Sequence, residues 1–366
     1  MKKIRVAVVF GGRSAEHEVS LLSARNIVSA LDRDKYEPLL IGIDRHGQWF
    51  LNEGSLHLLN ADDAATIMLQ HGADDHLPEV TIGNNGELLR LDGAAPGVID
   101  VIFPVLHGPF GEDGTIQGLA KLADLPCVGA GVLGSAVGMD KDVMKRLLRD
   151  AGIPITPFVT VHAHRRAEVN YDELRQTLGE TLYVKPANLG SSVGISRVRT
   201  AEEFARGLET ALRYDTKVIV ETGVTAREIE CAVLGNENPI ASVPGEVVPK
   251  DGFYSYEAKY IDADGARLVI PADLTDAERE LVQTLSLRAF EELCCEGMAR
   301  VDGFLCADGT YLINEINTIP GFTRISQYPK LFEASGIPLG ELVDRLIQLA
   351  LERHGTLSGL SIAPRE

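Results

Sequence analysis

Two short segments near the C-terminus carry polar side chains in alternation, the pattern of a β-strand with one polar face. Arg300 and Asp302 lie two positions apart in the first segment, as do Glu315 and Asn317 in the second. Because residues i and i+2 of a strand share a face, each pair is expected to point one way. If residues 307–310 form a hairpin turn, two carboxylates, an amide and a guanidinium meet at one place. Oxygen ligands of this kind suit Mg²⁺ held jointly with substrate phosphates, and the alternative is a solvated edge hairpin.

Three glycine-rich segments follow predicted strands, and each could cradle a ligand. They are residues 11–18, 107–114 and 185–194. Glycine lets a ligand approach backbone N–H groups, and ligands of open α/β sheets bind beyond the carboxyl ends of the strands. The third segment contains Gly-Ser-Ser-Val-Gly, whose small residues can fold over phosphate oxygens and act as a lid that excludes water. The first segment matches neither the G-x-x-x-x-G-K-[ST] loop nor the G-x-G-x-x-G fingerprint.

Single side chains in and near these segments leave more than one interpretation open. Glu16, at a predicted helix start, can bind a ligand or simply balance the helix dipole. His107 is as compatible with a structural role as with a functional one. Lys141 opens a predicted helix and Lys185 ends a predicted strand, and each is an ordinary surface charge when considered alone.

The elements that would position these residues change in kind along the chain. Strands and helices alternate in the first portion, which favours α/β layers with a parallel sheet. Short strands dominate beyond residue 215, and Thr275 with Glu278 predicts a capping box at the start of a long helix. The segment 52–97 is weakly patterned and is expected to form insertions and loops. The predicted strands are 4–10, 38–43, 98–105, 126–128, 159–161, 182–185, 217–221, 228–234, 240–246 and 267–270, and the predicted helices are 16–30, 115–123, 141–150, 275–296 and 339–354.

Composition narrows the class of protein. The chain has 366 residues, 45% hydrophobic and 24% charged, which is enough for two or three globular domains. Its formal net charge of −18 repels phosphate backbones, so nucleic acid is not an expected partner, although local lysines can still bind ATP. Five cysteines without a C-x-x-C pair indicate a reduced cytoplasm, with Cys294 and Cys295 expected in a helix. The apolar runs are shorter than the ~20 residues that span a bilayer, so no membrane association is expected.

Taken together, these motifs resemble the D-alanine–D-alanine ligase family of the ATP-grasp superfamily over nearly the whole chain. They occur in the family's order, as Phe10-Gly11-Gly12-x-Ser14-Ala15-Glu16-His17-Glu18-Val19-Ser20, His107-Gly108…Gly111-Glu112-Asp113-Gly114, Met139-Asp140-Lys141, Lys185-Pro186-Ala187-Asn188-x-Gly190-Ser191-Ser192-Val193-Gly194 and Asn314-Glu315-Ile316-Asn317-Thr318-x-Pro320-Gly321-Phe322-Thr323. The resemblance implies an α/β fold, α+β in the C-terminal part, of three-domain ATP-grasp architecture with an N-terminal open parallel α/β sheet. The implied domains are N-terminal at 1–129, central at 130–224 and C-terminal at 225–366.

The same resemblance implies an enzyme that ligates two D-alanines for peptidoglycan precursors. ATP would phosphorylate the first D-alanine carboxylate, and the amine of the second would attack the resulting acylphosphate. The implied cofactors are ATP and Mg²⁺ or Mn²⁺, as two ions, and the implied state is a cytoplasmic homodimer. Phosphoryl transfer of this kind depends on positioning and charge neutralisation, which polar loops and lysines can supply.

Individual roles follow from the resemblance, position by position. The metal ligands would be Asp302, Glu315 and Asn317. The oxyanion of the tetrahedral intermediate would be stabilised by Arg300 and the Gly321 N–H. The residues that contact the phosphates would be Lys141, Lys185, Lys259, Ser191 and Ser192. Adenine and ribose would contact Glu221 and Glu228, and Val224 would complete the nucleotide site. The first D-alanine would lie by Glu16 and His107, the second carboxylate would bind Ser326, and Ser191 and Tyr260 would form a hydrogen-bonded group with Glu16.

Other readings of the sequence remain open. Tyr260 favours a dipeptide product over D-Ala–D-Lac, whereas a D-Ala–D-Ser ligase is less well excluded. A non-catalytic ATP-binding regulator of the same fold, or a kinase that releases the acylphosphate, is disfavoured by the presence of the metal, oxyanion and second-substrate residues. Three positions depart from the family pattern. Leu189 replaces a polar residue, and Thr222 stands where some relatives carry lysine near the adenine. Gly303 replaces a β-branched residue and is expected to weaken its strand.

Overall fold

The computed structural model describes residues 2–51, 79–90, 97–249 and 266–361 of the chain. Lys259 and Tyr260 lie outside these ranges, as does most of the segment that was expected to form insertions and loops. Within the described ranges, every helix is too short or too polar to cross a lipid bilayer.

The N-terminal portion is built on an open sheet whose central strands pair in parallel, as the sequence predicts, while the edge strand β3 pairs antiparallel with β2. Its strands lie in the order β3-β2-β1-β7, and β1 pairs in parallel with both β2 and β7. Helix α1 connects β1 to β2. The bounds are β1 Ile4–Gly11, α1 His17–Ala30, β2 Tyr36–Ile43, β3 Trp49–Leu51, β4 Val80–Ile82, β5 Glu87–Arg90, β6 Gly97–Val98, β7 Val101–Val105 and α2 Thr115–Leu122.

Three sequence predictions in this portion are wrong. Strands β4, β5 and β6 form a small antiparallel sheet where loops were expected. The predicted strand 98–105 is divided between β6 and β7, because Asp100 turns aside to accept a hydrogen bond from the Arg5 N–H at 2.8 Å. The predicted strand 126–128 amounts to a single bridge between Ile102 and Cys127, since Pro126 has no N–H to donate.

The central portion carries an antiparallel sheet, so the parallel pairing of the first portion does not continue here. The strand order is β10-β9-β11-β8. Helix α4 begins with Asp140 as its N-cap, whose carboxylate accepts from the N–H groups of Asp142 and Val143. The bounds are α3 Val132–Met139, α4 Lys141–Asp150, β8 Phe158–His162, α5 Tyr171–Leu178, β9 Leu182–Pro186, β10 Ser196–Val198, α6 Ala201–Ala211 and β11 Lys217–Thr222.

The C-terminal portion contains a second, larger antiparallel sheet in the order β15-β14-β12-β16-β17, with β13 also paired to β12. The capping box of Thr275 and Glu278 is confirmed at the start of α7. The bounds are β12 Ala226–Gly235, β13 Ile240–Ala241, β14 Gly245–Pro249, β15 Ala266–Val269, α7 Asp276–Glu292, β16 Gly297–Cys306, β17 Tyr311–Asn317, α8 Gln327–Ala334 and α9 Leu339–Ser358.

Two predictions in the C-terminal portion need correction. The strand expected at 240–246 is interrupted between β13 and β14, where Pro244 cannot donate to a ladder. Helix α7 ends at Glu292, so Cys294 and Cys295 lie beyond it. The chain leaves the helix through a left-handed Cys294 (φ 54°), with the Cys295 N–H bonded to the Phe290 carbonyl oxygen at 2.9 Å, which is a Schellman ending.

The first and last portions of the chain share one apolar core. Helices α8 and α9 pack with α1 and the N-terminal sheet, so that Val8 and Phe103 lie in the same buried cluster as Tyr328 and Leu346. The Phe103 ring meets the Phe322 ring edge-on, with centroids 6.1 Å apart. This shared core fixes the N-terminal glycine-rich loops against the C-terminal sheet.

Candidate active site

The two polar segments form the predicted hairpin. Strands β16 and β17 pair antiparallel, with Arg300 opposite Asn317 and Asp302 opposite Glu315. The register shifts at Asp302–Gly303, because Gly303 pairs with Ile313 and leaves Asn314 as an extra residue in β17. At this bulge Ile313 is buried, while the consecutive polar residues Asn314 and Glu315 are both half-buried at the edge of the core.

Gly303 makes room for an aromatic ring. A Cβ at this position would lie 2.4 Å from Cζ of Tyr311. Tyr311 is buried, and its hydroxyl donates to the Ile229 carbonyl oxygen at 3.0 Å. The strand is therefore closely packed at its glycine, and the expected weakening of the strand by Gly303 stays a prediction.

Carboxylates on two strands hold the guanidinium of Arg300. Its Nε and Nη2 donate to the two oxygens of Asp302, each at 2.7 Å, and Nε lies 2.9 Å from Oε2 of Glu230 in β12. Burial alone would lower the pKa of Arg300, but Asp302 and Glu230 raise it well above its ordinary value. The site thus contains a permanent cation in a fixed orientation.

The three metal ligands expected from the sequence lie side by side on the hairpin and carry the oxygen atoms that a hard divalent cation prefers. Asp302 and Glu315 are cross-strand partners, and the Asn317 amide donates to Asp302 at 2.9 Å. Arg300 and Asn317 together use three of the roughly four acceptor positions of the Asp302 carboxylate. In the part of the chain that the structure describes, no three His, Cys, Asp or Glu side chains converge on a metal site. A cation here would need further oxygen ligands, such as those of phosphates.

Two lysines of the central portion face the hairpin. Lys141 opens α4, and its Nζ lies 3.2 Å from Oε2 of Glu315 and 2.8 Å from the Leu189 carbonyl oxygen. Lys185 of β9 donates to Oδ1 of Asn314 at 3.3 Å. The central and C-terminal portions therefore meet here with cations on one side and oxygen ligands on the other. Lysines beside oxygen ligands suit a polyphosphate with its counter-ions.

A buried ion network lies behind Lys185. The two oxygens of Glu221 lie 2.5 Å from Nζ of Lys185 and 2.7 Å from Nζ of Lys145. Lys145 has no exposed surface and also donates to Oγ1 of Thr156 at 2.8 Å. Burial would raise the pKa of Glu221, but the two lysines lower it to about 2. Glu221 thus remains a carboxylate and holds Lys185 in place.

The third glycine-rich loop turns through left-handed backbone conformations. Ser191 and Ser192 have φ of 55° and 58°, values that non-glycine residues rarely adopt. Left-handed residues are characteristic of backbone concavities that bind anions. The base of the loop is fixed by Asn188, whose N–H and Nδ2 both donate to Asp215, at 2.8 and 2.9 Å.

The first two glycine-rich loops bring Glu16 and His107 into one buried region. His107 Nδ1 lies 3.0 Å from the Ile319 carbonyl oxygen, which assigns the proton to Nδ1. Burial lowers the pKa of His107, with the nearby Glu16 opposing this effect, so the neutral imidazole is favoured. Its Nε2 is buried and has no hydrogen-bond partner within the described residues. This nitrogen is an acceptor available to a bound donor.

Glu112, in the second glycine-rich loop, is an additional carboxyl group near Glu16. Its two oxygens accept from the N–H groups of Gly108 and Ile319, at 2.8 and 3.2 Å. Burial raises the pKa of Glu112 to about 7, the two N–H groups oppose the rise, and Glu16 adds to it. Glu16 itself is buried, and its backbone N–H donates to Oγ of Ser14 at 3.0 Å.

The remaining expected residues lie in the C-terminal portion and at its junction with the central portion. Ser326 precedes α8, and its Oγ accepts from the Thr323 N–H at 2.9 Å and lies 2.8 Å from where a Cβ of Gly321 would stand. Val224 lies between β11 and β12, and Glu228 lies in β12; both are half-buried. The contributions expected of Lys259 and Tyr260 concern residues outside the described ranges.

Sequence reasoning gave no individual role to several polar residues of the site. These are Glu112, Lys145, Glu230 and Asn314. Lys145 stands four positions after Lys141 on one helix, and Glu230 stands two positions after Glu228 on one strand, so periodicity could have suggested both. Asn314 could not be found this way, because the bulge breaks the alternation.

Comparison with known proteins gives a consistent result. Residues 5–130 match a family model described as D-ala D-ala ligase N-terminus, and residues 147–348 match one described as D-ala D-ala ligase C-terminus. A D-alanine–D-alanine ligase A of Escherichia coli K12 is 50% identical over 361 residues, which is 98% of this chain and 99% of the relative. A D-alanine–D-alanine ligase of Shouchella clausii is also 50% identical, over 97% of this chain and 96% of the relative.

Solved structures agree with these sequence relatives. The D-alanine–D-alanine ligase of Coxiella burnetii superposes with a TM-score of 0.86 at 39% identity, covering 98% of this chain and 97% of that one. The VanG D-Ala:D-Ser ligase of Enterococcus faecalis superposes with a TM-score of 0.84 at 34% identity, covering 95% of this chain and all of that one.

Proposed function

Since the chain belongs to the D-alanine–D-alanine ligase family, we infer that it joins two D-alanine molecules into D-alanyl-D-alanine at the expense of ATP. It is an ADP-forming ligase of ATP-grasp fold, and its product serves the synthesis of the peptidoglycan cell wall. ATP and D-alanine are its substrates, and a divalent metal ion is its cofactor. We further propose that the ions are Mg²⁺ or Mn²⁺ and that two are bound.

One observation supports this function more than any other. Two lysines of the central portion contact oxygen ligands of the C-terminal hairpin: Lys141 of α4 contacts Glu315, and Lys185 of β9 contacts Asn314. The two lysines would neutralise the phosphates of a bound ATP. A metal ion held by Asp302, Glu315 and Asn317 would supply further neutralisation of the phosphate oxygens when bound.

The first half of the reaction is the transfer of a phosphoryl group to D-alanine. We propose that Lys141, Lys185 and Lys259 hold the phosphates and that the loop with Ser191 and Ser192 covers them. Glu221, Val224 and Glu228 form the adenine and ribose site. The first D-alanine lies by Glu16 and His107, and the unpartnered Nε2 of His107 supports a polar ligand there. Its carboxylate attacks the terminal phosphorus, and ADP leaves.

The second half is attack by the amine of the second D-alanine on the acylphosphate. The amine loses a proton, a tetrahedral intermediate forms, and inorganic phosphate leaves. We propose that Arg300 and the Gly321 N–H stabilise the oxyanion, that Ser326 binds the second carboxylate, and that Ser191 and Tyr260 join Glu16 in a hydrogen-bonded group. The fixed, permanently charged guanidinium of Arg300 supports the first of these roles.

The larger-scale organisation is proposed on the same family basis. We propose domains at 1–129, 130–224 and 225–366, because the sheet changes near both boundaries. We propose a cytoplasmic homodimer; the free state of all five cysteines supports a reducing compartment. Light scattering coupled to size exclusion tests the dimer.

The first prediction concerns the reaction itself. Phosphate release from ATP and Mg²⁺ should require D-alanine, should fail with L-alanine, and should match D-alanyl-D-alanine formation one to one by mass spectrometry. Mixtures of D-alanine with D-serine or D-lactate test the related ligases, and a preferred mixed product would replace the dipeptide assignment. ATP binding without any turnover would favour a regulator.

A matched pair of variants ties this assay to the site. Glu315→Gln removes a proposed metal ligand and should lower turnover to the background level, by about 10²-fold or more. Glu341→Gln removes an exposed carboxylate whose partner is Arg345 on the same helix, and should leave turnover unchanged. Near-normal turnover of the Glu315 variant would remove that residue from the metal site.

A further inference from the structure

The turn that carries Gly321 is held at both ends by the N-terminal portion of the chain. It consists of residues 319–322 and is separated from the end of β17 only by Thr318. Ile319 and Phe322, its first and last residues, are both buried. Pro320 and Gly321 lie between them, and each end residue has both of its backbone polar groups bonded to N-terminal side chains.

Ile319, the first residue of the turn, is hydrogen-bonded to the second glycine-rich loop. The Ile319 N–H donates to Oε1 of Glu112 at 3.2 Å, and its carbonyl oxygen lies 3.0 Å from Nδ1 of His107. These contacts join two segments more than 200 positions apart in the sequence.

Phe322, the last residue of the turn, is hydrogen-bonded to helix α1. The Phe322 N–H donates to Oγ of Ser23 at 3.0 Å, and its carbonyl oxygen accepts from Nδ2 of Asn26 at 2.9 Å. Ser23 and Asn26 lie three positions apart, on one face of the helix. Ser23 has no exposed surface, so its bond to the turn is sheltered from water.

We propose that Ser23 and Asn26 are positioning residues of the reaction, which aim the Gly321 N–H at the oxyanion of the tetrahedral intermediate. This inference rests on the ligase function proposed above and extends it to two residues of α1. Neither side chain touches the reacting atoms; each acts through the backbone of Phe322.

The backbone flexibility of the turn explains why the direction of the Gly321 N–H has to be held by hydrogen bonds. Pro320 has a fixed φ, whereas glycine is the residue with the greatest backbone freedom. The direction of the Gly321 N–H is therefore set by where the chain must arrive at Phe322. An oxyanion donor must be in place before charge develops, and displacement by about 1 Å costs on the order of 10²-fold in rate.

The test uses variants of the full-length enzyme. Asn26→Leu removes the donor to the Phe322 carbonyl oxygen at similar volume, and Ser23→Ala removes the acceptor of its N–H. Each should lower kcat about 10-fold, and the double variant about 10²-fold, with the KM values for ATP and D-alanine little changed. Asn26→Gln keeps an amide donor and should recover part of the loss.

A second readout separates positioning from stability alone. A phosphinate dipeptide that mimics the tetrahedral intermediate should lose affinity in proportion to kcat/KM across the series. The control is Asn236→Leu, which removes a similar bond from Nδ2 to the Leu349 carbonyl oxygen at 3.0 Å, away from the turn. It should lower the midpoint of unfolding but leave kcat and phosphinate affinity unchanged.

Different results would overturn the positioning role of Ser23 and Asn26 and the ligase function itself. Loss of kcat and phosphinate affinity in the α1 variants, with the Asn236 variant normal, supports the inference. Unchanged kcat in folded α1 variants overturns it while the ligase assignment stands. A wild-type protein that forms no dipeptide overturns the assigned function, and with it any catalytic meaning of the two residues.

Discussion

Glu221 shows how burial and charge compete at a single residue of this site. Its carboxylate is almost fully buried, which alone would favour the protonated form. Lys145 and Lys185 reverse this preference by ion pairs on both oxygens. Removing one member of a buried ion pair leaves an uncompensated charge, which costs ~3–5 kcal/mol in other proteins. The network is therefore a constraint on Lys185 as much as a source of stability.

The pH dependence of stability follows from the sign of this shift. The pKa of Glu221 falls from an ordinary 4.5 to about 2 on folding. Its ionised form thus stabilises the fold above pH 4.5, and this contribution disappears as the pH falls from 4.5 towards 2. Glu221→Gln should be less stable than wild type by ~3 kcal/mol at pH 7, with the difference narrowing below pH 4.5.

Urea unfolding of both proteins between pH 7 and pH 3 measures this difference. A gap that stayed constant across the range would show that Glu221 does not titrate with the folding reaction. The exposed Glu168, paired with Arg165 on the surface, provides the control. Glu168→Gln should leave the unfolding free energy close to that of wild type, because an exposed ion pair is screened by water.

The residues of the site differ in how far the sequence could predict them. Strand alternation was enough to bring together Arg300, Asp302, Glu315 and Asn317, and the hairpin has the expected pairing. The pairing of Glu221 with Lys145 depends on the approach of α4 to β11, which no local pattern encodes. A lysine four positions after another on a helix is also the pattern of an ordinary solvated face.

At the scale of elements, the β-bulge in the hairpin allows neighbouring residues of β17 to serve the apolar core and the polar site. One extra residue in β17 lets Ile313 point into the core while Asn314 meets Lys185 and Glu315 meets Lys141. Periodicity places strands well but cannot reveal a one-residue insertion in a ladder. The same limit explains the misplaced end of α7, because its left-handed ending falls on Cys294, where no glycine gives a signal.

Gly303 offers a direct test of this hairpin. Gly303→Val should clash with the Tyr311 ring, since even a Cβ would come within 2.4 Å of Cζ. We expect destabilisation of ~1–3 kcal/mol and a fall in kcat, because Asp302 is the adjacent residue. Thermal unfolding and the phosphate-release assay measure the two effects.

Two further variants make the test of Gly303 specific. Gly118→Ala, at a position in α2 where a Cβ meets nothing within 4 Å, should be neutral or slightly stabilising. Adding Tyr311→Leu to Gly303→Val should recover part of the lost stability by removing the ring. A Gly303→Val protein as stable and active as wild type would refute the packing role of this glycine.

At the scale of the whole molecule, the N-terminal and C-terminal portions of the chain pack together in one apolar core. Helix α9 packs on the N-terminal sheet, and Tyr36 of β2 donates to Asp344 of α9 at 2.7 Å. The parallel strands of the N-terminal sheet and the amphipathic final helix were both predicted from sequence. Their contact was not, because it depends on long-range packing between elements that each satisfy their own local pattern.

Leu346 of α9 probes this shared core. It is completely buried among residues of both ends of the chain. Leu346→Ala should cost ~2–5 kcal/mol. Hydrogen exchange should then accelerate in β1 as well as in α9. Acceleration confined to α9 would mean that the two ends are stabilised separately. The exposed Leu357 in the same helix is the control, and its replacement by Ala should have little effect.

The bonds from α1 to the turn at 319–322 bear on how such enzymes can be recombined. A chimaera can take its first 130 residues from one relative and the rest from another. Its junction then cuts neither the glycine-rich loops at 11–18 and 107–114 nor the turn at 319–322. It does exchange the partners of Ile319 and Phe322, which come from Ser23, Asn26, His107 and Glu112. Compatible donor and acceptor types at these four positions should therefore decide whether a chimaera turns over, even when both halves fold.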